Sequence, residues 1–170
     1  MSKSPRELPE IERLFHLFTL DSRRGLLLHK KKCGTKEGSI AGNVTPQGYR
    51  RVKVDGVLYL CHRIIYLMHS GKDPKEKEID HINGIKSDSR PANLRMATRS
   101  ENRQNTSVYK SNALSIKGVW YDKARFAFFC AVQKNKVNEK FGPFNTAKEA
   151  KDKYQHEAKE RFGKFYRREK

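Results

Sequence analysis

The chain has 170 residues, enough for one ordinary domain or two small ones, and at 36% hydrophobic and 33% charged it holds a modest total core. Lys and Arg number 37 against 19 Asp and Glu, a formal net charge of +18, so the surface attracts polyanions by counterion release and nucleic acid is the favoured partner. Cys33, Cys61 and Cys130 form no Cys-x-x-Cys pair, which points to small apolar residues in a reducing compartment, and neither the amino terminus nor any later stretch has the apolar run of a signal peptide or membrane span. A soluble, cytoplasmic protein without a membrane partner is expected.

In chain order, Pro9 to Leu20 carries Ile11, Leu14, Phe15 and Phe18 at helical spacing and predicts a short helix. From Gly25 to Tyr59 short alternating segments are broken by glycines, and Tyr49 to Val54 meets Asp55-Gly56 before Val57-Leu58-Tyr59, a strong hairpin signal. His62 to His69 reads as a packing helix that stops at Gly71, with His62 a structural histidine; His69 and His156 read as surface or packing residues. Glu78 to His81 reads as a strand end, Asn93 to Met96 as its return strand, and Thr98 with Glu101 as a capping box that starts a helix.

A polar, aperiodic stretch then reads as a linker over 106–113. The second module offers strands at Gly118 to Asp122, Ala127 to Gln133 and Val137 to Phe141. Thr146 with Glu149 forms a second capping box, and Ala147, Ala150, Tyr154, Ala158 and Phe162 line one face of a helix that Gly163 ends. Phe126, Phe128, Phe129, Phe141 and Phe144 are assigned largely to packing, and Trp120 equally to packing or contact. The basic tail, 164–170, follows a nucleic-acid backbone or frays. The fold class is α+β: a β-rich segment leading into a strand-strand-helix unit, then a three-stranded antiparallel sheet with one helix.

The chemistry sits between these elements. Asp80 at a strand end and Asn102 one turn into the capped helix can offer oxygens to one hard cation, Mg²⁺ or Mn²⁺, which keeps positions open for phosphate. His81 alternates to the other side of the strand, where its neutral imidazole can activate water. Asn93 on the facing strand can accept from that imidazole and orient it, and Arg95 can reach phosphate. The Asp80-His81 pair followed by Asn83-Gly84 is alone also a plausible surface turn; the spacing of Asn93, Arg95 and Asn102 favours phosphodiester hydrolysis.

Residues 79 to 105, IDHINGIKSDSRPANLRMATRSENRQN, resemble the HNH motif of phage-type and intron-encoded homing endonucleases, and the likeness extends upstream through Gly48-Tyr49-Arg50 and Cys61-His62-Arg63. It implies a ββα-metal nuclease domain over 1–105, with Asp80 and Asn102 as metal ligands, His81 as general base and Asn93 orienting it. The motif's name implies a histidine at its third position; Asn102 stands there instead. Residues 114–163, with Lys117-Gly118-Val119-Trp120-Tyr121 and Phe141-Gly142-Pro143-Phe144-Asn145-Thr146, resemble the AP2 DNA-binding domain. That resemblance implies a sheet that meets double-stranded DNA through Lys117, Trp120, Tyr121, Lys123, Arg125, Lys134 and Lys136. The expectation is a monomeric DNA endonuclease acting in the cytoplasm, a host's cytoplasm if phage-encoded. Its rivals are a DNA-binding regulator with a decayed site and an RNA-processing or ribosome-binding protein.

Overall fold

The computed structural model describes residues 7–31, 36–106, 113–134 and 137–166. The chain divides into two compact units, Met1–Arg99 and Ser100–Lys170. Both mix helices with small antiparallel sheets, as the α+β expectation requires.

The first unit opens with α1 (Ile11–Leu17), then β1 (Phe18–Asp21) and β2 (Leu26–His29) as a two-stranded pair. The predicted helix therefore ends three residues early. Phe18 turns extended at φ −131 and pairs with His29, while Asp21 closes the turn by accepting from the Arg24 and Gly25 N–H groups. Aromatic and β-branched Phe18-Thr19 favours the strand once a partner is in reach.

A three-stranded sheet follows, β3 (Asn43–Val44), β4 (Arg50–Val54) and β5 (Val57–Leu60), in the order β3-β4-β5. The Asp55-Gly56 turn has φ of 46 and 83 at its two residues, the signs a type I′ hairpin demands. Next comes α2 (Cys61–Ser70), ended by Gly71 in the left-handed conformation. It buries Cys61, Ile64, Ile65, Leu67 and Met68 against Leu14, Phe18, Leu27, Val52, Val54, Ile79 and Leu94. Each fully buried aliphatic side chain contributes about 1.5–3 kcal/mol, so α2 is the centre of this core. Finally β6 (Glu78–His81) pairs with β7 (Leu94–Ala97).

The second unit contains α3 (Arg99–Gln104, its first residue counted with the other unit), then β8 (Val119–Asp122), β9 (Ala127–Lys134) and β10 (Val137–Phe144) in the order β10-β9-β8. α4 (Ala147–Phe162) covers one face with Ala150, Tyr154, Ala158 and Phe162 against Val119, Cys130 and Val132. Thr146 Oγ1 accepts from the Glu149 N–H, and the Glu149 carboxylate accepts from the Asn145 N–H, so the capping box reaches back one residue further than predicted. β10 runs three residues past its expected end, with a register irregularity between Phe141 and Phe144. Phe126 departs from the packing assignment: it sits at φ 50 in the β8–β9 turn and is 83% exposed. Phe165, in the segment read as tail, is buried. Cys33, Lys136, most of the 106–113 linker and residues 167–170 lie outside the described residues.

Candidate active site

The β6–β7 register places Asp80 opposite Arg95 and His81 opposite Leu94. Successive residues of a strand face opposite sides, so Asp80 and His81 diverge although adjacent. Both are buried. Arg95 donates to Asp80 Oδ2 through Nε at 2.8 Å and Nη2 at 2.7 Å, a charge-assisted pair that compensates a carboxylate removed from water.

His81 lies among rings. Its centroid is 4.9 Å from that of His62, at 68°, and 6.1 Å from Tyr49, which itself lies 5.5 Å from His62. Its Nε2 is 3.4 Å from Ser89 Oγ. Burial lowers the His81 pKa, against the opposing pull of Asp80 and Asp88; burial, with His81 and Arg63 beside it, pushes His62 down to about 3. The His62 imidazole is therefore neutral at neutral pH, and the direction of the His81 shift also favours its neutral form. Lys86 stands 4.8 Å over the Tyr49 ring and donates to the Gln47 carbonyl.

A carboxamide clamp shapes the loop after His81. The Asn83 N–H donates to Asn93 Oδ1 at 3.0 Å, and Asn93 Nδ2 donates to Asn83 Oδ1 at 2.9 Å and to the Asp88 carbonyl at 2.7 Å. Asn83 Nδ2 donates to Asp88, whose carboxyl Arg90 holds down to about 2. Gly84 N–H donates to the His81 carbonyl at 2.7 Å, and Ile82 N–H to the Asn93 carbonyl at 2.9 Å. Asn93 thus closes the turn that begins at His81.

The site is braced from two sides. Arg63 of α2 donates to the Lys75 and Lys77 carbonyls, both at 2.7 Å, fixing the approach to β6. Gly25, at φ 67 in the β1–β2 turn, lies so close to the loop that a Cβ would come 2.3 Å from the Arg90 nitrogen. Sequence reasoning gave no site role to Tyr49, Asn83, Asp88 or Ser89; His62, read as structural, is buried on α2 as expected, and the Cys61-His62-Arg63 run at the helix start was the signal within reach that it also neighbours His81.

Asp80 supplies one buried carboxylate. Its Oδ2 accepts from Arg95, and a carboxylate oxygen is the hard donor that a cation such as Mg²⁺ takes, with water and substrate completing the shell. Asn102 lies on α3, half-buried, in the second unit.

Residues 59–104 match the family model of the HNH endonuclease. The HNH segment spans β5, α2, β6, β7 and α3, and so contains the Asp80–Arg95 pair, the His62–His81 contact and the Asn93 clamp. No curated protein matches the chain. Among solved structures the chain is similar to one described as "DNA binding and cleavage by the HNH homing endonuclease I-HmuI", with 18% identity over 91% of this chain and 82% of that chain, and a TM-score of 0.44.

Beyond the HNH segment, Trp120, Tyr121, Lys123 and Arg125 are exposed on β8 and the turn after it. Lys117 donates to the Gln104 carbonyl at 2.8 Å and the Thr106 carbonyl at 2.7 Å. Lys134 donates to the Arg161 carbonyl at the end of α4. Among the described residues no helix is long and apolar enough to cross a membrane.

Proposed function

We propose that the chain is a metal-dependent endonuclease of homing or nicking type that hydrolyses phosphodiester bonds in duplex DNA, with His81 as general base. The observation that carries this reading is His81 itself. It is a buried imidazole whose pKa burial lowers, next in sequence to a buried carboxylate and inside the HNH match. A neutral imidazole accepts the proton of an attacking water; an imidazolium does not. Asn93 acts through the turn it closes, holding the backbone that carries His81.

Asp80 would hold Mg²⁺ or Mn²⁺, since a carboxylate oxygen is the hard donor these ions favour. When bound, such an ion stabilises charge on the phosphoryl oxygens and the leaving alkoxide. Arg95 balances the Asp80 charge, and in this reading its guanidinium would turn to a backbone phosphate where a metal takes its place on Asp80. The second unit, AP2-like in its three strands and covering helix, would carry the duplex. Tyr121, Lys123 and Arg125 are its contacts, with Lys117, Lys134 and Lys136 adding positive charge.

Supercoiled plasmid incubated with wild-type or His81→Ala protein, in Mg²⁺, Mn²⁺ or EDTA, tests the reading. Nicked or linear product from wild type with metal, and from neither His81→Ala nor EDTA, is expected. Cutting by His81→Ala at the wild-type rate sinks the assignment. Plasmid binding by wild type without any cutting favours the regulator instead.

A further inference from the structure

The open face of the second unit's sheet carries a cluster that the proposed hydrolysis does not use. Val119, Cys130 and Val132 are buried on the α4 side, where Cys130 feels the charges of Lys153 and Glu157; their strand neighbours face the other way. There Trp120 lies opposite Phe129 across β8 and β9, and the two rings stack 5.9 Å apart at 21°. Trp120 remains 37% exposed. Beside them β10 contributes Gly142, at φ 129, where a Cβ would come within 2.7 Å of Phe129 Cδ1. The absent side chain keeps that rim low against the rings.

Charge flanks the rings. The Arg125 guanidinium carbon is 5.6 Å from the Phe129 centroid, and Lys140 and Asp122 complete a cleft of about 300 Å³. Asp122 is engaged locally: its Oδ1 accepts from the Ala124 and Arg125 N–H groups, and its Oδ2 lies 3.8 Å from Arg125. The unit around the cleft is basic, with Lys and Arg outnumbering Asp and Glu about two to one.

We infer that this cleft takes an unpaired base of single-stranded DNA, stacked on Trp120 and Phe129, with the adjoining phosphates beside Arg125 and Lys140. A sheet that reads base edges presents long hydrogen-bonding side chains at its centre, because those edges lie on the groove floor. Here the centre is two ring faces and a glycine. Ring faces match the π-face of a base, which a duplex keeps within its own stack and a single strand offers freely. The volume stands at the lower end of small-molecule sites, about 300–1,000 Å³, and suits one base. This is a second mode beside duplex binding, which the basic surface as a whole supports. The choice of DNA rests on the endonuclease reading; the stacking does not.

Trp120 is the sole tryptophan of the chain, so its emission reports contact directly. Full-length protein in EDTA is titrated with an oligo-dT of about 12 nucleotides, within the usual range of single-strand site sizes, and binding is followed in parallel by anisotropy of the labelled strand. Saturable quenching is expected. Phe129→Ala should weaken it about fivefold or more, while Phe129→Tyr, which keeps the ring face, should hold it within about twofold. Lys140→Ala, at an exposed position, should lower the slope of log K against log salt by about 0.7 without touching the core. Emission that stays unchanged while the strand binds overturns the proposal, as does equal quenching by a blunt duplex of the same length. Stronger quenching by oligo-rU overturns the choice of DNA. Because no cleavage is scored, a plasmid left uncut does not bear on this result, and His81→Ala protein should quench as wild type does.

Discussion

Acidification should destabilise the first unit specifically through His62. Burial pushes this imidazole down to about 3 in the folded protein, whereas in the unfolded chain it titrates near about 6.5. Between those values the unfolded state binds a proton that the native state refuses. The neutral ring's contribution is thus fully present above about pH 6.5 and is lost as the pH falls through the window, at about 1.4 kcal/mol per pH unit. By about pH 4 the loss is on the order of 3 kcal/mol, against a total of about 5–15 kcal/mol for an ordinary domain. His81 shifts in the same direction, so the informative quantity is a difference between proteins. Urea midpoints of wild type and His62→Gln would be compared from about pH 7 down to about pH 4. The variant should start less stable, having lost the ring contacts with Tyr49 and His81, yet decline less steeply. Parallel declines would refute the reasoning, since they would mean that His62 takes up its proton as readily in the folded state as outside it.

Asp80→Ala should cost up to about 3–5 kcal/mol by stranding a half-buried guanidinium, and Arg95→Leu in the same chain should return part of it; thermal melts of the single and double variants read both. Asn93→Ala leaves the Asn83 N–H and Asp88 carbonyl without the carboxamide they meet and should cost about 1–3 kcal/mol, measured by urea titration, with cleavage falling further than stability. Gly25→Ala combines a left-handed backbone with a Cβ driven against Arg90, a loss of at least about 1–3 kcal/mol; an unchanged melting temperature would show that the turn and loop can part. Phe126→Gly should raise the melting temperature by a few degrees, because it relieves a non-glycine residue held at φ 50 and removes an 83% exposed ring.

Local signals carried most of the fold. The Asp55-Gly56 hairpin, the helix ended by Gly71, the β6–β7 return and the capped α4 each rest on chemistry within a few residues, and each is where its signal lies. The departures come where a distant partner decides. Phe18 carries helical spacing, but β2 offers it a strand to pair with, and long-range pairing overrides a short amphipathic stretch. Phe126 is the exception with a local cause: it opens an aromatic run that reads as core, and the tight β8–β9 turn forces it outward.

The site was legible to the same depth. Counting along the chain puts Asp80 and His81 on one strand and Asn93 and Arg95 near its return. It does not say which side chains meet, because that depends on register and on what packs beneath. The register sets Arg95 against Asp80, and α2 lies under β6 so that His62, nineteen positions before His81, becomes its ring neighbour. A histidine that helical periodicity assigns to the core can thus be both a core residue and a wall of the site: the burial that keeps it neutral also fixes where His81 stands. Net charge has the same limit. It selects a polyanion as partner without selecting the contacting cations, and Lys117 and Lys134, equal to any lysine in a charge count, also donate to backbone carbonyls at the ends of α3 and α4. Exposed charge beside an exposed ring, as at Arg125 and Trp120, discriminates better than charge alone, because a solvated lysine is inexpensive anywhere on a surface whereas an exposed aromatic face withholds about 1.5–3 kcal/mol of burial until something covers it.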